Sequence, residues 1–100
     1  TPGGSTIITS VFQTILNVIE FGMDAQESVT AARFHHQWMP DRIDVEAKAL
    51  SEATRTSLSN DGYSIYKRGN IGRVENILVL PNGKLQTGAD PRGDDKAAGY

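Results

Sequence analysis

Apolar positions dominate the first fifth of the chain in a regular rhythm. Ile7, Ile8, Val11, Phe12, Ile15, Leu16, Val18 and Ile19 follow the i, i+3, i+4, i+7 spacing of a helix. The stripe is wide, which predicts a helix buried over much of its circumference. Gly22 follows as the residue that can turn left-handed without a Cβ clash and end it. Asp24 then stands three positions before Glu27, the signature of a reciprocal capping box. It predicts a second helix running through Ser28, Val29, Ala31, Ala32 and Arg33, whose small residues suit packing against the first in an αα-hairpin. Pro40 disfavours helix at Met39.

Beyond Pro40 the period shortens. Arg42-Ile43-Asp44-Val45-Glu46 alternates polar and apolar, as a half-buried strand does. Ser51 is an N-cap signal for a more polar helix to about Asn60, with Ala53 and Leu58 inward and Asp61-Gly62 ending it. Tyr63 to Lys67 alternates again, and Arg68 to Gly72 reads as a loop. Glu75 to Leu80 is the most apolar strand and is predicted to be central in a sheet. Pro81-Asn82-Gly83-Lys84 is a hairpin signal, because Asn-Gly tolerates the positive φ angles of a tight turn. Leu85 to Ala89 returns as the partner strand, and a polar, turn-rich tail follows from Asp90. Helix, helix, strand, helix and three strands make an α+β chain, short of strands for a fully covered independent sheet.

Composition narrows the function classes. One hundred residues make one domain or part of one. Ten Lys and Arg against twelve Asp and Glu leave a net charge of −2, with the cations scattered. That is no electrostatic footprint for nucleic acid or an anionic membrane. With no cysteine there is no disulfide or thiolate chemistry. Thr, Gln and Asn interrupt the first helix, so it is not a membrane span. The chain opens on a loop residue directly before a helix, as though cut from something longer.

Few stretches suggest chemistry. Pro2-Gly3-Gly4-Ser5 leads into a helix start, where backbone N–H groups lack intrahelical acceptors. Such an entry either offers main-chain donors to an anion or oxyanion, or is simply a turn. His35 and His36 are the only histidines, but they are adjacent and no cysteine can complete a metal site. Trp38 is read as covering core, and Arg33 as a buried hydrogen-bond hub. Asp90, Asp94 and Asp95 lack the alternating oxygen ligands of a calcium loop and are read as a salt-bridged or solvated turn.

Several runs resemble one family. They are Thr1-Pro2-Gly3-Gly4-Ser5 with Ile7-Ile8, Phe21-Gly22-Met23, Ala32-Arg33-Phe34-His35-His36-Gln37-Trp38, Gly88-Ala89-Asp90-Pro91-Arg92 and Ala98-Gly99-Tyr100. Their order over nearly the whole chain resembles the end of γ-glutamyltranspeptidase. The resemblance implies an N-terminal-nucleophile hydrolase with a four-layer αββα sandwich, of which residues 1–100 are the later part of the small, catalytic subunit. In that family a precursor cuts itself, and the new N-terminal Thr of the small subunit attacks a γ-glutamyl amide such as glutathione. The acyl group then passes to water or an amino acid. The nucleophile and the residues holding the γ-glutamyl group are expected upstream, so this chain alone is expected to be inactive.

What the resemblance transfers is narrow. Gly3 and Gly4 match the glycine pair whose backbone N–H groups form the oxyanion hole, Gly4 thereby also touching substrate. Arg33 and Arg92 match arginines with a structural role. No cofactor or metal is expected. Partners are the rest of the small subunit and the large subunit, and the location is periplasmic or secreted. Asn76 stands where a small residue is expected, and Arg73 and Glu75 are bulkier than usual, which puts local packing in question. Thr1 is read as an internal residue, not the nucleophile. A related acylase of the cephalosporin type and a non-catalytic structural or interaction domain are the alternatives.

Overall fold

The computed structural model describes residues 1–98. It contains α1 (Thr6–Ile19), α2 (Ala25–Thr30), β1 (Phe34–His35), β2 (Ile43–Val45), α3 (Glu52–Asn60), β3 (Ile65–Lys67), β4 (Asn76–Val79) and β5 (Leu85–Gly88). The α+β class follows as expected, with β1 added to the expected order. These elements form two compact units. One combines residues 1–31 with the described residues from 72 on, and the other is Ala32–Ile71.

In the first unit α1 and α2 pack together, and α2 also lies on the β4–β5 hairpin. The expectation that α1 buries its apolar stripe is overturned. Its buried positions are Thr6, Ser10 and Thr14, whereas Ile8 is 78% and Ile19 70% exposed. Periodicity shows which residues share a helix face, not which face its own chain covers. Two members of the hydroxyl row bond backbone, Thr6 Oγ1 donating to Gly3 O at 2.9 Å and Thr14 Oγ1 to Ser10 O at 2.9 Å, while the buried Ser10 Oγ meets no partner among the described residues. At the end of α1, Gly22 takes φ +64°, and the Met23 N–H reaches Asn17 O at 3.0 Å.

The capping box of α2 forms as read, Asp24 accepting from Glu27 N–H and Glu27 from Asp24 N–H. The helix nevertheless stops at Thr30, short of Arg33, because Ala31 turns extended at ψ 138°. The Arg92 guanidinium takes the Val29 and Ala31 carbonyls instead, at 2.7 and 2.9 Å. Among the described residues β4 pairs only with β5, antiparallel from Asn76↔Gly88 to Val79↔Leu85, so it is not the central strand expected. Ile77 and Val79 are exposed accordingly. In the hairpin only Gly83 has a positive φ, +82°. Gly83 N–H closes the turn on Leu80 O at 2.8 Å. Asn82 contributes its side chain instead, accepting the Lys84 N–H at 3.0 Å.

The second unit holds the order β1-β2-β3, with β1 antiparallel and β3 parallel to β2. α3 is the crossover that parallel pairing requires. Ser51 caps it, accepting the Thr54 N–H at 3.2 Å. Asp61 and Gly62, at φ +94°, end it. Leu58 is partly covered as expected, but Ala53 is exposed and does not point inward. β2 is buried at every position rather than alternately. Its polar residue Asp44 is neutralised by Arg42 Nε at 2.8 Å and Arg68 Nη1 at 3.2 Å. Arg42 also lies 4.4 Å over the Tyr66 ring. Trp38 covers no core: its backbone takes φ +70° and its side chain is 75% exposed.

Candidate active site

The two glycines before α1 are built differently. Gly3 has φ +135°, and a β-carbon there would collide with Thr6 Oγ1, the hydroxyl that donates to Gly3 O. Gly4 has φ +58°, with nothing within 4 Å of a β-carbon. Both conformations are costly for a residue with a side chain. Their carbonyls close the helix start, Gly3 O accepting from Thr6 N–H and Gly4 O from Ile7 N–H, each at 3.1 Å. The first donors of α1 are therefore consumed by the turn. The N–H groups of Gly3 and Gly4 themselves meet no acceptor among the described residues, and both residues are exposed. An exposed pair of consecutive backbone donors on a turn that takes positive glycine φ angles is suited to a negative oxygen.

Thr1 and the Gly72-Arg73 segment lie against this turn. Thr1 Oγ1 accepts the Arg73 N–H at 2.7 Å and donates to Pro2 O at 3.1 Å. Gly72, at φ +69°, packs on Ser10 so closely that a β-carbon would come within 2.9 Å of Ser10 Cβ. Arg73, whose bulk raised a packing question, ion-pairs with Asp95, Nε lying 2.6 Å from Oδ2. Asn76 donates Nδ2 to Ser28 Oγ at 2.8 Å, but its buried Oδ1 meets no partner among the described residues.

The arginines lie in networks of their own. Arg33 is buried, and its Nη1 donates to Ile71 O at 2.9 Å. Glu46, which the sequence did not single out, accepts the Arg33 N–H through Oε1 and the Ile71 N–H through Oε2, each at 2.7 Å. A carboxylate thus ties the two ends of the Ala32–Ile71 unit, although the alternation of its strand sets Glu46 with Arg42 and Asp44 on the polar face and gives no sign of burial. Arg92 pairs with buried Asp90 at 3.0 Å. Of the aspartates read as a salt-bridged or solvated turn, Asp90 pairs with Arg92 and Asp95 with Arg73. His35 Nε2 meets Gln37 Oε1 at 2.8 Å and His36 Nε2 meets Asp41 Oδ1 at 3.2 Å. Among the described residues no group of three or more metal-ligating side chains forms, and no helix is long and apolar enough to cross a membrane.

Comparison with known proteins places the turn in context. Residues 1–100 match the family Gamma-glutamyltranspeptidase. This chain belongs to that family. The glutathione hydrolase proenzyme of Escherichia coli (strain K12) is 43% identical over 100 residues, 99% of this chain and 17% of that protein. The chain thus spans about a sixth of the length of that curated relative. Among solved structures, γ-glutamyltranspeptidase from Pseudomonas nitroreducens complexed with L-DON matches with a TM-score of 0.89. It is 38% identical, and the match covers all of this chain and 53% of that one. A cephalosporin acylase from Bacillus halodurans matches with a TM-score of 0.86 at 25% identity, covering 98% of this chain and 19% of that one. The γ-glutamyltranspeptidase fold accounts for the mixed helices and short strands, and the acylase match shows the same backbone in a more distant enzyme.

Proposed function

We propose that this chain is the later part of the small, catalytic subunit of a γ-glutamyltranspeptidase that cleaves γ-glutamyl amides such as glutathione. The γ-glutamyl group then passes to water or to an amino acid. The observation that carries the reading is the Gly3–Gly4 turn, whose exposed N–H groups meet no acceptor among the described residues. When a nucleophilic Thr outside this segment attacks the amide carbonyl, its oxygen becomes an oxyanion. The Gly3 and Gly4 N–H groups stabilise that charge in the transition state more than they do the neutral carbonyl. Gly4 is the residue that touches substrate there. Arg33 and Arg92 act structurally, by saturating the Ile71, Val29 and Ala31 carbonyls and Asp90.

The rest of the small subunit and the large subunit are the partners this reading requires, and the exposed apolar stripe of α1 is a surface suited to such partners. A periplasmic or secreted location accompanies the reading. The match to a cephalosporin acylase keeps a second amide substrate class in view. The same two donors serve any acyl transfer, so they do not select between the two classes.

The test is turnover of a chromogenic γ-glutamyl anilide by the full-length, matured enzyme and its Gly4→Val variant. A β-branched residue cannot hold φ +58° and swings the donor away. The expected fall in kcat is on the order of 100-fold with KM nearly unchanged, the usual result of losing one such donor. A variant within twofold of the parent would remove Gly4 from the oxyanion site. Turnover of a cephalosporin side-chain amide in place of the anilide would support the acylase reading.

A further inference from the structure

We infer that Thr1 is a positioning residue whose hydroxyl fixes the Pro2–Gly3 peptide plane, and that Arg73 anchors that hydroxyl. The inference rests on the oxyanion reading of the Gly3–Gly4 turn. Its starting point is one peptide group. The Thr1 hydroxyl donates to Pro2 O at 3.1 Å, and the Pro2 carbonyl belongs to the same planar amide as the Gly3 N–H. A hydrogen bond accepted by that carbonyl both fixes the plane and polarises the N–H on its other end, as hydrogen-bond chains do. At φ +135° Gly3 has wide torsional freedom, so the plane needs an external hold.

The hydroxyl is itself held. Its oxygen accepts the Arg73 N–H at 2.7 Å, which leaves its proton directed to Pro2 O. Arg73 cannot drift, because its guanidinium grips both oxygens of Asp95 with Nε and Nη2. Gly93 packs against the face of the guanidinium, where a β-carbon would collide with it, and Glu75 lies 4.0 Å from its Nε. Gly72 sits on buried Ser10 with a left-handed φ of +69°, fixing where Arg73 begins. One row of hydrogen bonds thus runs from the acidic turn through Arg73 and Thr1 to the donor presented by Gly3. Thr1 therefore acts through the donor peptide and forms no bond with substrate. Arg73 and Glu75, bulkier than expected at these positions, acquire a purpose in it together with Asp95.

The experiment uses the full-length enzyme with Thr1→Val and Thr1→Ser, assayed on a γ-glutamyl anilide beside Gly4→Val. Valine keeps the shape and loses the hydroxyl, and serine restores it. Thr1→Val is expected to lower kcat about tenfold, less than outright loss of a donor, with KM and the thermal midpoint unchanged. Thr1→Ser is expected within twofold of the parent. Combined with Gly4→Val, Thr1→Val should add little, because both act on one donor pair. If Gly4→Val is impaired while Thr1→Val turns over like the parent, the positioning role falls and the oxyanion reading stands. If Gly4→Val is itself unimpaired, the oxyanion reading falls and takes this role with it. Should Thr1→Val fail to mature, Asp95→Asn reads the same row from its far end. There a fall in kcat of about threefold at constant KM is expected for a small displacement of the donor, and no change would overturn the inference.

Discussion

Asp90→Asn tests the network that joins α2 to the segment after β5. Asp90 is buried and accepts hydrogen bonds from Val74 N–H at 2.7 Å, Arg92 N–H at 2.9 Å and Arg92 Nη1 at 3.0 Å. Asparagine has nearly the same shape, but only one of its two side-chain atoms can accept, so a buried donor is left facing an NH2 group. The charge opposite Arg92 disappears as well. Breaking a buried ion pair by removing one partner costs about 3–5 kcal/mol. The lower end applies here, about 3 kcal/mol, because Arg92 keeps the Val29 and Ala31 carbonyls. The assay is urea unfolding of the full-length enzyme followed by far-UV circular dichroism, with Arg92→Met and the double variant alongside. Arg92→Met is expected to lose about 4 kcal/mol, since the part-buried Val29 and Ala31 carbonyls join Asp90 in losing a partner. The double variant should be milder than the sum of the singles by about 2 kcal/mol, the range of contacting charged pairs. A loss below about 1 kcal/mol for Asp90→Asn, or strict additivity, would show that the buried pair does not hold this unit together.

The apolar stripe of α1 makes a second prediction. The 100-residue chain produced alone is expected to self-associate through Ile8, Phe12 and Ile19, and lysine at these exposed positions should reduce association without loss of helix signal. Sedimentation velocity measures it, and a strictly monomeric parent chain would refute it. A third concerns pH. The Arg73 guanidinium, and secondarily a hydrogen bond from Glu75, hold the Asp95 carboxyl down to about 2. The contribution of Asp95 is thus complete above its ordinary 3.8 and is lost as pH falls through about 2. Glu75 is pushed up, first by its hydrogen bond to Asp95 and then by burial. Its contribution has the opposite sign: it is present below the ordinary 4.5 and lost as pH rises through the raised value. Carboxyl NMR titration should show the two coupled, and an ordinary Asp95 titration near 3.8 would refute the pairing with Arg73.

Local signals were legible in the sequence wherever a few neighbouring residues decide the outcome. The Asp24–Glu27 capping box, the Ser51 cap, the Gly22 and Gly62 stops and the Gly83 hairpin all formed where read. Each is settled within a handful of bonds of its own backbone. The family pattern was legible too, because a resemblance of this kind is carried by side-chain identities and their order, as in the Ala32–Trp38 and Gly88–Arg92 runs. The Gly99-Tyr100 end of that pattern lies outside the described residues.

Tertiary structure alone decided which faces are buried and what the long-range polar groups do. A helical stripe of isoleucines gives no direction, and here the hydroxyl row Thr6, Ser10 and Thr14 faces its own unit. The apolar run of β4 gave no neighbours, and only β5 pairs with it. Glu46 joins Arg33 and Ile71, Asp90 joins Val74 and Arg92, and Thr1 joins Arg73 and Pro2. Residue identity sets which groups can donate and which can accept. Which donor meets which acceptor depends on loops closing over tens of residues, and that closure is set by the packing of the whole unit rather than by any local stretch.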